Sequence, residues 1–301
     1  MKCNQCENQA TYSRKYSGQS LCSECFSQSI LRKTAKTISK YKMIEYGQKI
    51  CIGVSGGKDS LALLYIMNKM SQTHHFEIEA ATIDEGIPGY RNEALGIVEQ
   101  YCSTLDVKHR VYSYSDLFDL TLDEALKSRG DEKTTSCAIC GTLRRRALDA
   151  AAQDMNADVV ATAHNLDDAV QTFLINIISG DTERIIWQDP NISDSNRIKP
   201  FCEIYEKEIV FYAFTNQIPF QTEPCPHMNE GIRTQIRNFL NSMEDTHSGI
   251  KNNLYRSALK ISAQMSPQGK QKSACVKCGS MCTSTTCSVC QMLKGLHGIQ
   301  P

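Results

Sequence analysis

Ile50-Cys51-Ile52-Gly53-Val54, followed by Ser55-Gly56-Gly57-Lys58-Asp59-Ser60 and an apolar run that continues to Met70, is the stretch that decides the fold. Residues 50–54 read as a short buried strand, and residues 59–70 have the length and apolar richness of a helix packed on a sheet. The glycine-rich turn between them makes an anion site, because backbone N–H groups point outward and the helix dipole favours negative charge there. Phosphate is the natural ligand. The turn is not that of a nucleotide triphosphatase, which would need Gly where Ile52 stands and Ser or Thr where Asp59 stands.

Outward from this stretch, strand-like runs at 77–83, 107–113 and 157–163 alternate with helical segments. The fold class expected is α/β, a doubly wound parallel sheet whose ligands bind beyond the carboxyl ends of the strands. Asp84, Glu85 and Gly86 follow the second strand and belong at that edge, where Asp84 either shapes a nucleotide pocket or is a solvated loop acid. After the fourth strand comes His164-Asn165-Leu166-Asp167-Asp168, in which Asn165 can cap a helix and the aspartates suit its positive end.

The chain of 301 residues is long enough for one large domain with small appendages. Its 33 basic and 33 acidic residues leave a net charge of +0, which removes bulk charge as an argument for nucleic-acid binding. No run approaches the roughly 18 apolar residues of a membrane span, and the N-terminus lacks a signal-peptide core, so no membrane partner and a cytoplasmic location are expected. Local charge differs from the total. Arg32, Lys33, Lys36, Lys40 and Lys42 form one basic run, Arg144, Arg145 and Arg146 another, Arg233 and Arg237 share a helix, and Lys251, Arg256, Lys260, Lys270 and Lys272 lead toward the C-terminus. Such runs either contact phosphates without reading sequence or are solvated faces.

Fifteen cysteines stand out. Cys3/Cys6 and Cys22/Cys25 are two CxxC pairs with 15 residues between them, and Cys275/Cys278 and Cys287/Cys290 repeat the arrangement with an 8-residue spacer. Each set can close a four-thiolate zinc site, structural because no coordination position stays open; Cys282 is a spare that could compete. Cys137, Cys140 and Cys225 form a third set, incomplete for zinc. Three thiolates can hold a 4Fe-4S cluster with one iron open; alternatively Cys140 and Cys225 act as a thiol pair carrying a persulfide, or all three are unligated structural thiols.

The SGGKDS loop at 55–60 resembles that of the PP-loop ATP pyrophosphatases, which implies cleavage of ATP between the α and β phosphates and transfer of AMP to a substrate oxygen. With HNLDD at 164–168, CxxCG at 137–141, Cys225 and the terminal CxxC pairs, nearly the whole chain resembles the tRNA 2-thiolation enzymes of the TtuA and TtcA group, closest to the archaeal and eukaryotic cytosolic (NcsA-like) branch. Some relatives carry His in the first zinc site where Cys25 stands here.

The resemblance implies ATP, Mg2+, a 4Fe-4S cluster on Cys137, Cys140 and Cys225, and two Zn2+. It implies a nucleotide site of Ser55, Gly56, Gly57, Lys58, Asp59, Ser60, Asp84, Gly86, Gly141, Arg144, His164 and Asp168, with Lys58, Asp59, Asp168, Cys140 and Cys225 in the chemistry. The partners implied are tRNA, a ubiquitin-like thiocarboxylate carrier or inorganic sulfide as sulfur source, and a second copy in a homodimer. The organisation expected is an N-terminal zinc module at 1–27, a basic helical linker at 28–47, the catalytic domain at 48–222, a helical extension at 223–272 and a C-terminal zinc module at 273–301. The reaction implied is 2-thiolation of uridine, with the segments at 197–208 and 237–240 favouring the wobble position over the T-loop. A PP-loop ligase with an amine acceptor and a non-catalytic zinc protein that binds RNA are the alternatives.

Overall fold

The computed structural model describes residues 1–129, 134–190, 196–227, 232–265 and 273–296. A small hairpin, β1 (Tyr12–Arg14) and β2 (Gln19–Leu21), precedes α1 (Ser23–Lys40), whose first N–H groups are capped by the Cys22 sulfur. The boundary expected after residue 27 thus falls inside one continuous helix. Its Phe26, Ile30 and Ile38 are buried, so the "linker" is part of the core. The core strand β3 (Lys49–Gly53) leads to α2 (Lys58–Ser71), β4 (Glu77–Asp84), α3 (Tyr90–Thr104) and β5 (His109–Ser113). Two short helices, α4 (Tyr114–Phe118) and α5 (Leu122–Lys127), precede α6 (Ser136–Asp154), β6 (Val159–Ala161) and α7 (Leu166–Ile178). A 3-10 helix (Thr182–Gln188), β7 (Arg197–Ile198), α8 (Glu206–Thr215), α9 (Arg233–Thr246) and α10 (Ile250–Gln264) complete the main body; β8 (Ser273–Ala274), β9 (Met281–Cys282) and α11 (Ser288–Leu296) form the C-terminal module.

The central sheet has the order β5-β4-β3-β6-β7, parallel throughout. The chain winds outward from β3 to β5, returns, and resumes at β6 on the other side of β3. The switch point therefore lies between β3 and β6, where loops leaving adjacent strands diverge and open a crevice. The SGGKDS loop follows β3 and HNLDD follows β6, so both sit at this crevice. Ile50, Ile52 and Ala161 on these strands are fully buried, as a sheet covered on both faces requires. The fourth strand is shorter than its apolar run, and β7 is a two-residue strand with no periodicity to announce it.

Each terminal module docks on a different part of the site's framework. On the N-terminal side, Tyr12, Phe26 and Phe211 of α8 pack in tilted and edge-to-face pairs with ring centroids 4.5–4.9 Å apart. Glu208 of α8, fully buried, receives Arg14 Nε at 2.5 Å, the Tyr16 hydroxyl at 2.9 Å and Lys33 Nζ at 3.4 Å. At the other end, Cys275, Cys287, Val289 and Leu296 share a buried cluster with Leu143, Ala147 and Ala151 of α6.

Candidate active site

The phosphate loop is tied down by its own hydroxyls. Ser60, buried at the start of α2, accepts from Ser55 N at 3.1 Å and donates to Gly57 O at 2.9 Å, and Ser55 Oγ lies 3.2 Å from Ser60 Oγ. Gly56 adopts φ +86°, and a Cβ there would lie 2.9 Å from Ala94 Cβ, so both conformation and space demand glycine. The same holds at Gly86, φ +71°, where a Cβ would fall 2.7 Å from Thr121 Cγ2. Gly57 is the N-cap of α2 without any side-chain cap, which leaves the first N–H groups of the helix for a ligand.

Lys58 is the cation of this loop, with Nζ 2.9 Å from Asp59 and 2.8 Å from Glu206 of α8. Burial pulls its pKa down, but the Asp59 and Glu206 charges win and hold it above the ordinary value. Across the crevice, Asn165 and Asp168 form a reciprocal capping box, each backbone N–H bound by the other side chain at 3.1 Å. Asn165 Nδ2 also reaches Asp59 Oδ1 at 3.4 Å, joining the two loops. Burial raises the carboxyls of Asp59 and Asp168, and Glu206 adds to both shifts. Asp59 and Glu206 are both paired with Lys58, and the Asp59, Asp168 and Glu206 oxygens do not gather within 4.8 Å of one another, so among the described residues no ready cation cage stands at the loop.

Asp167 is not a simple helix-end charge: it is buried, accepts from Glu206 N at 2.8 Å, and pairs with Lys251 Nζ. Lys251 is correspondingly buried and unavailable to RNA, Lys33 of the first basic run turns inward to Glu208, and Lys40, still exposed, pairs with Glu203. Lys270 and Lys272 lie outside the described residues. His164 is exposed, and its ring bonds Thr162 at 2.9 Å. Its crowded surroundings, with the charges of Lys199, Arg233, Arg144 and Arg145, hold its pKa down to about 4.

The remaining expected residues divide. The Asp84 carboxylate accepts from Gly86 N at 2.9 Å, shaping the turn after β4. Gly141 is an interior residue of α6 with nothing tighter than 3.6 Å around its absent Cβ. Arg144 Nη2 lies 2.8 Å from Glu85 Oε1 and 3.1 Å from the Cys140 sulfur. Glu206 and Arg91 carry much of the geometry, yet no motif spacing points to either, and the sequence places Glu85 at the strand edge without a role.

Cys137 and Cys140 lie in the first two turns of α6, and Cys225 packs against the buried cluster that contains Cys140. Gln221 N bonds Gly56 O at 3.0 Å, and Ser136 Oγ bonds His227 O at 2.9 Å, so the segment 219–227 is pinned to the phosphate loop at one end and to the cysteine helix at the other. Cys137 is exposed, Cys225 partly so, and Cys140 buried. Among the described residues, two groups bring their ligand atoms within 4.8 Å of one another, Cys3/Cys6/Cys22/Cys25 and Cys275/Cys278/Cys287/Cys290. Cys137, Cys140 and Cys225 are not among them, so their three sulfurs do not all lie within 4.8 Å of one another. Within the two tight groups, Cys6 to Cys22 is 3.6 Å, Cys6 to Cys25 3.7 Å and Cys278 to Cys287 3.6 Å, close to the edge of about 3.8 Å for a zinc tetrahedron. A backbone N–H from Cys22 and another from Cys287 hold Cys3 and Cys275 down to about 6, so each module has a thiolate ready. Cys282 stands outside its group, with its sulfur 2.8 Å from Ser284 O.

The profile of the PP-loop domain matches residues 27–244, and that of the N-terminal LIM domain of the 2-thiouridine synthetase TtuA matches residues 2–27. The chain belongs to the PP-loop family. Within it, cytoplasmic tRNA 2-thiolation protein 1 of Drosophila yakuba is 31% identical over 98% of this chain and 87% of its own length. The same protein of Caenorhabditis elegans is 32% identical over 97% of this chain and 79% of its own length. Among solved structures, the U34-tRNA thiolase NcsA from Methanococcus maripaludis with its [4Fe-4S] cluster superposes with a TM-score of 0.86 at 27% identity, covering 98% of this chain and 96% of that one. This PP-loop chain is thus similar along almost its whole length to tRNA thiolation proteins, zinc modules included. Among its described residues, no helix is long and apolar enough to cross a membrane.

Proposed function

We propose that the chain is an ATP-dependent tRNA uridine 2-sulfurtransferase that acts at the wobble position in the cytoplasm. The observation that carries this reading is the meeting of a phosphate loop and three converging cysteines at one sheet edge, joined by the bond from Gln221 N to Gly56 O. The similarity to a U34-tRNA thiolase and to cytoplasmic tRNA 2-thiolation proteins supports the substrate and the position.

The C2 oxygen of uridine is a poor leaving group until an adenylate is attached to it. In this reading Ser55, Gly56, Gly57 and the N-terminus of α2 bind the phosphates of ATP, and Lys58 balances the charge that grows on the departing pyrophosphate. Asp59 or Asp168 would contact magnesium, which screens phosphate charge when bound. Asn165 keeps Asp168 oriented through the capping box, and Asp84 sets the turn that closes the nucleotide pocket at Gly86. Cys137, Cys140 and Cys225 would hold a 4Fe-4S cluster, which when bound supplies an iron with no protein ligand for sulfide. His164 stays neutral at physiological pH and can accept or donate one hydrogen bond at the crevice mouth. The two terminal thiolate sets would each hold a structural zinc ion. The finer assignments in the same reading are a thiocarboxylate carrier or inorganic sulfide as sulfur donor and a homodimer as the working form.

The test is anaerobic purification with iron, sulfide and zinc analysis, combined with mass spectrometry of tRNA. Wild type should hold about two zinc ions per chain plus iron, and a Cys137→Ala, Cys140→Ala, Cys225→Ala variant should keep the zinc and lose the iron. Normal 2-thiouridine at the wobble position in a deletion strain would sink the proposal.

A further inference from the structure

Cys140 differs from the other two cysteines of its set. It is buried, and its sulfur accepts a hydrogen bond from Arg144 Nη2 at 3.1 Å, one turn along the same helix. The same nitrogen lies 2.8 Å from Oε1 of Glu85, a carboxylate only 3% exposed at the end of β4. Glu85 is itself held. Its other oxygen forms an ion pair with Arg91 Nε at 3.0 Å without hydrogen-bond alignment, and Arg91, equally buried, donates to Ser55 O at 2.9 Å and to Ile83 O. The Tyr114 hydroxyl donates to Cys140 O at 2.8 Å and lies 3.6 Å from the Cys140 sulfur, a longer contact than that of Arg144. A guanidinium whose side chain is 47% exposed is thereby held onto one thiol by a buried anion, and that anion is paired through Arg91 with the first residue of the phosphate loop.

A buried carboxylate would not be kept beside the cysteine helix for Cys140 alone, because it repels a thiolate. Its physical use is to hold Arg144, whose planar fork can address a carboxylate and a sulfur at once. We propose that Arg144, fixed by Glu85, is a positioning residue that donates a charge-assisted hydrogen bond to the Cys140 ligand and raises the reduction potential of the cluster. The physical reason is that reduction adds negative charge to the cluster and its sulfurs, so a cation bonded to one of those sulfurs stabilises the reduced form more than the oxidised form. The inference rests on the cluster assignment above and goes beyond it by naming what sets the cluster's electronics.

The experiment is a redox titration of the anaerobically purified, iron-loaded full chain followed by EPR, for wild type and for Arg144→Gln. The expected result is unchanged iron content and a lower midpoint in the variant, with the ratio of reduced to oxidised cluster at a fixed potential falling about tenfold, equivalent to about 59 mV for one electron. An unchanged midpoint at equal iron content would overturn the proposal. If Arg144→Gln retains no iron, pulsed EPR of the wild type labelled with 15N-arginine decides: a guanidinium nitrogen coupled to the reduced cluster supports the bond, and its absence overturns it. A wild type without iron overturns the cluster assignment as well, whereas iron-loaded wild type with no midpoint shift in the variant overturns the role of Arg144 alone.

Discussion

Replacing Glu208 by Ala tests how firmly the N-terminal zinc module is built into the catalytic framework. Glu208 is fully buried on α8, two residues from the Glu206 that pairs with Lys58, and it meets Arg14, Tyr16 and Lys33 of the N-terminal segment. Arg14 is 6% exposed. Its guanidinium also reaches Gln19 and Ser29, but Glu208 is its one anionic partner among the described residues. Removing the carboxylate strands that guanidinium in a site with little water, a change worth about 3–5 kcal/mol when one member of a buried pair is lost. Lys33, more exposed, adds little to this. The assay is equilibrium urea unfolding of zinc-loaded protein, wild type against Glu208→Ala. The double variant Arg14→Met, Glu208→Leu should recover most of the loss, since apolar side chains can replace a buried pair at little cost. A loss below about 1 kcal/mol in the single variant would refute the reasoning, because it would mean that water reaches Arg14. The pH dependence has a definite sign. Burial alone would raise the Glu208 pKa, but Lys33, Arg14 and the Tyr16 hydroxyl hold it below the usual carboxylate range. Its contribution is therefore fully present above the unfolded value of about 4.3 and is lost as pH falls through the folded one.

Gly56→Ala should abolish nucleotide-dependent AMP release and lower stability by about 1–3 kcal/mol, since alanine must adopt a positive φ with its Cβ against Ala94; calorimetry and an AMP assay check both. His164 has a folded pKa of about 4, below the unfolded value of about 6.5, so the unfolded chain takes up the proton first as pH falls and stability drops across that window; His164→Asn should flatten the slope in urea midpoints measured from pH 7 to pH 4. Cys287→Ser should leave about one zinc ion per chain and shorten the half-life of bound iron under a chelator, because the C-terminal module packs against the helix bearing Cys137 and Cys140.

The elements with strong local signals were legible in order. The strand and helix flanking SGGKDS, the HNLDD cap and both zinc sets follow from patterns only a few residues wide, and the structure brings each set together. Asn165 reads as the cap and both aspartates as suited to the helix's positive end, and the structure separates the two: Asp168 closes the capping box and Asp167 is buried on Lys251. One acidic residue differs from its neighbour only in which way the helix turns it, and a one-letter string does not carry that rotation. Basic runs were the least reliable guide, because a lysine reads the same whether it faces solvent, as most do, or a buried carboxylate, as Lys251 does.

The sequence by itself determined the chemistry on offer: a phosphate loop, two zinc sets of four cysteines, three further cysteines and an α/β alternation with a crevice after the first strand. These are local facts, written in residue types at short spacing, and backbone preferences and metal valence act over that range. Tertiary structure alone decided which groups meet. Glu206 on Lys58, Glu85 between Arg91 and Arg144, Glu208 beneath the N-terminal module and Gln221 on Gly56 are contacts between segments with no common period. Burial makes those pairings selective, since a charge removed from water must find its partner wherever the packed chain places it.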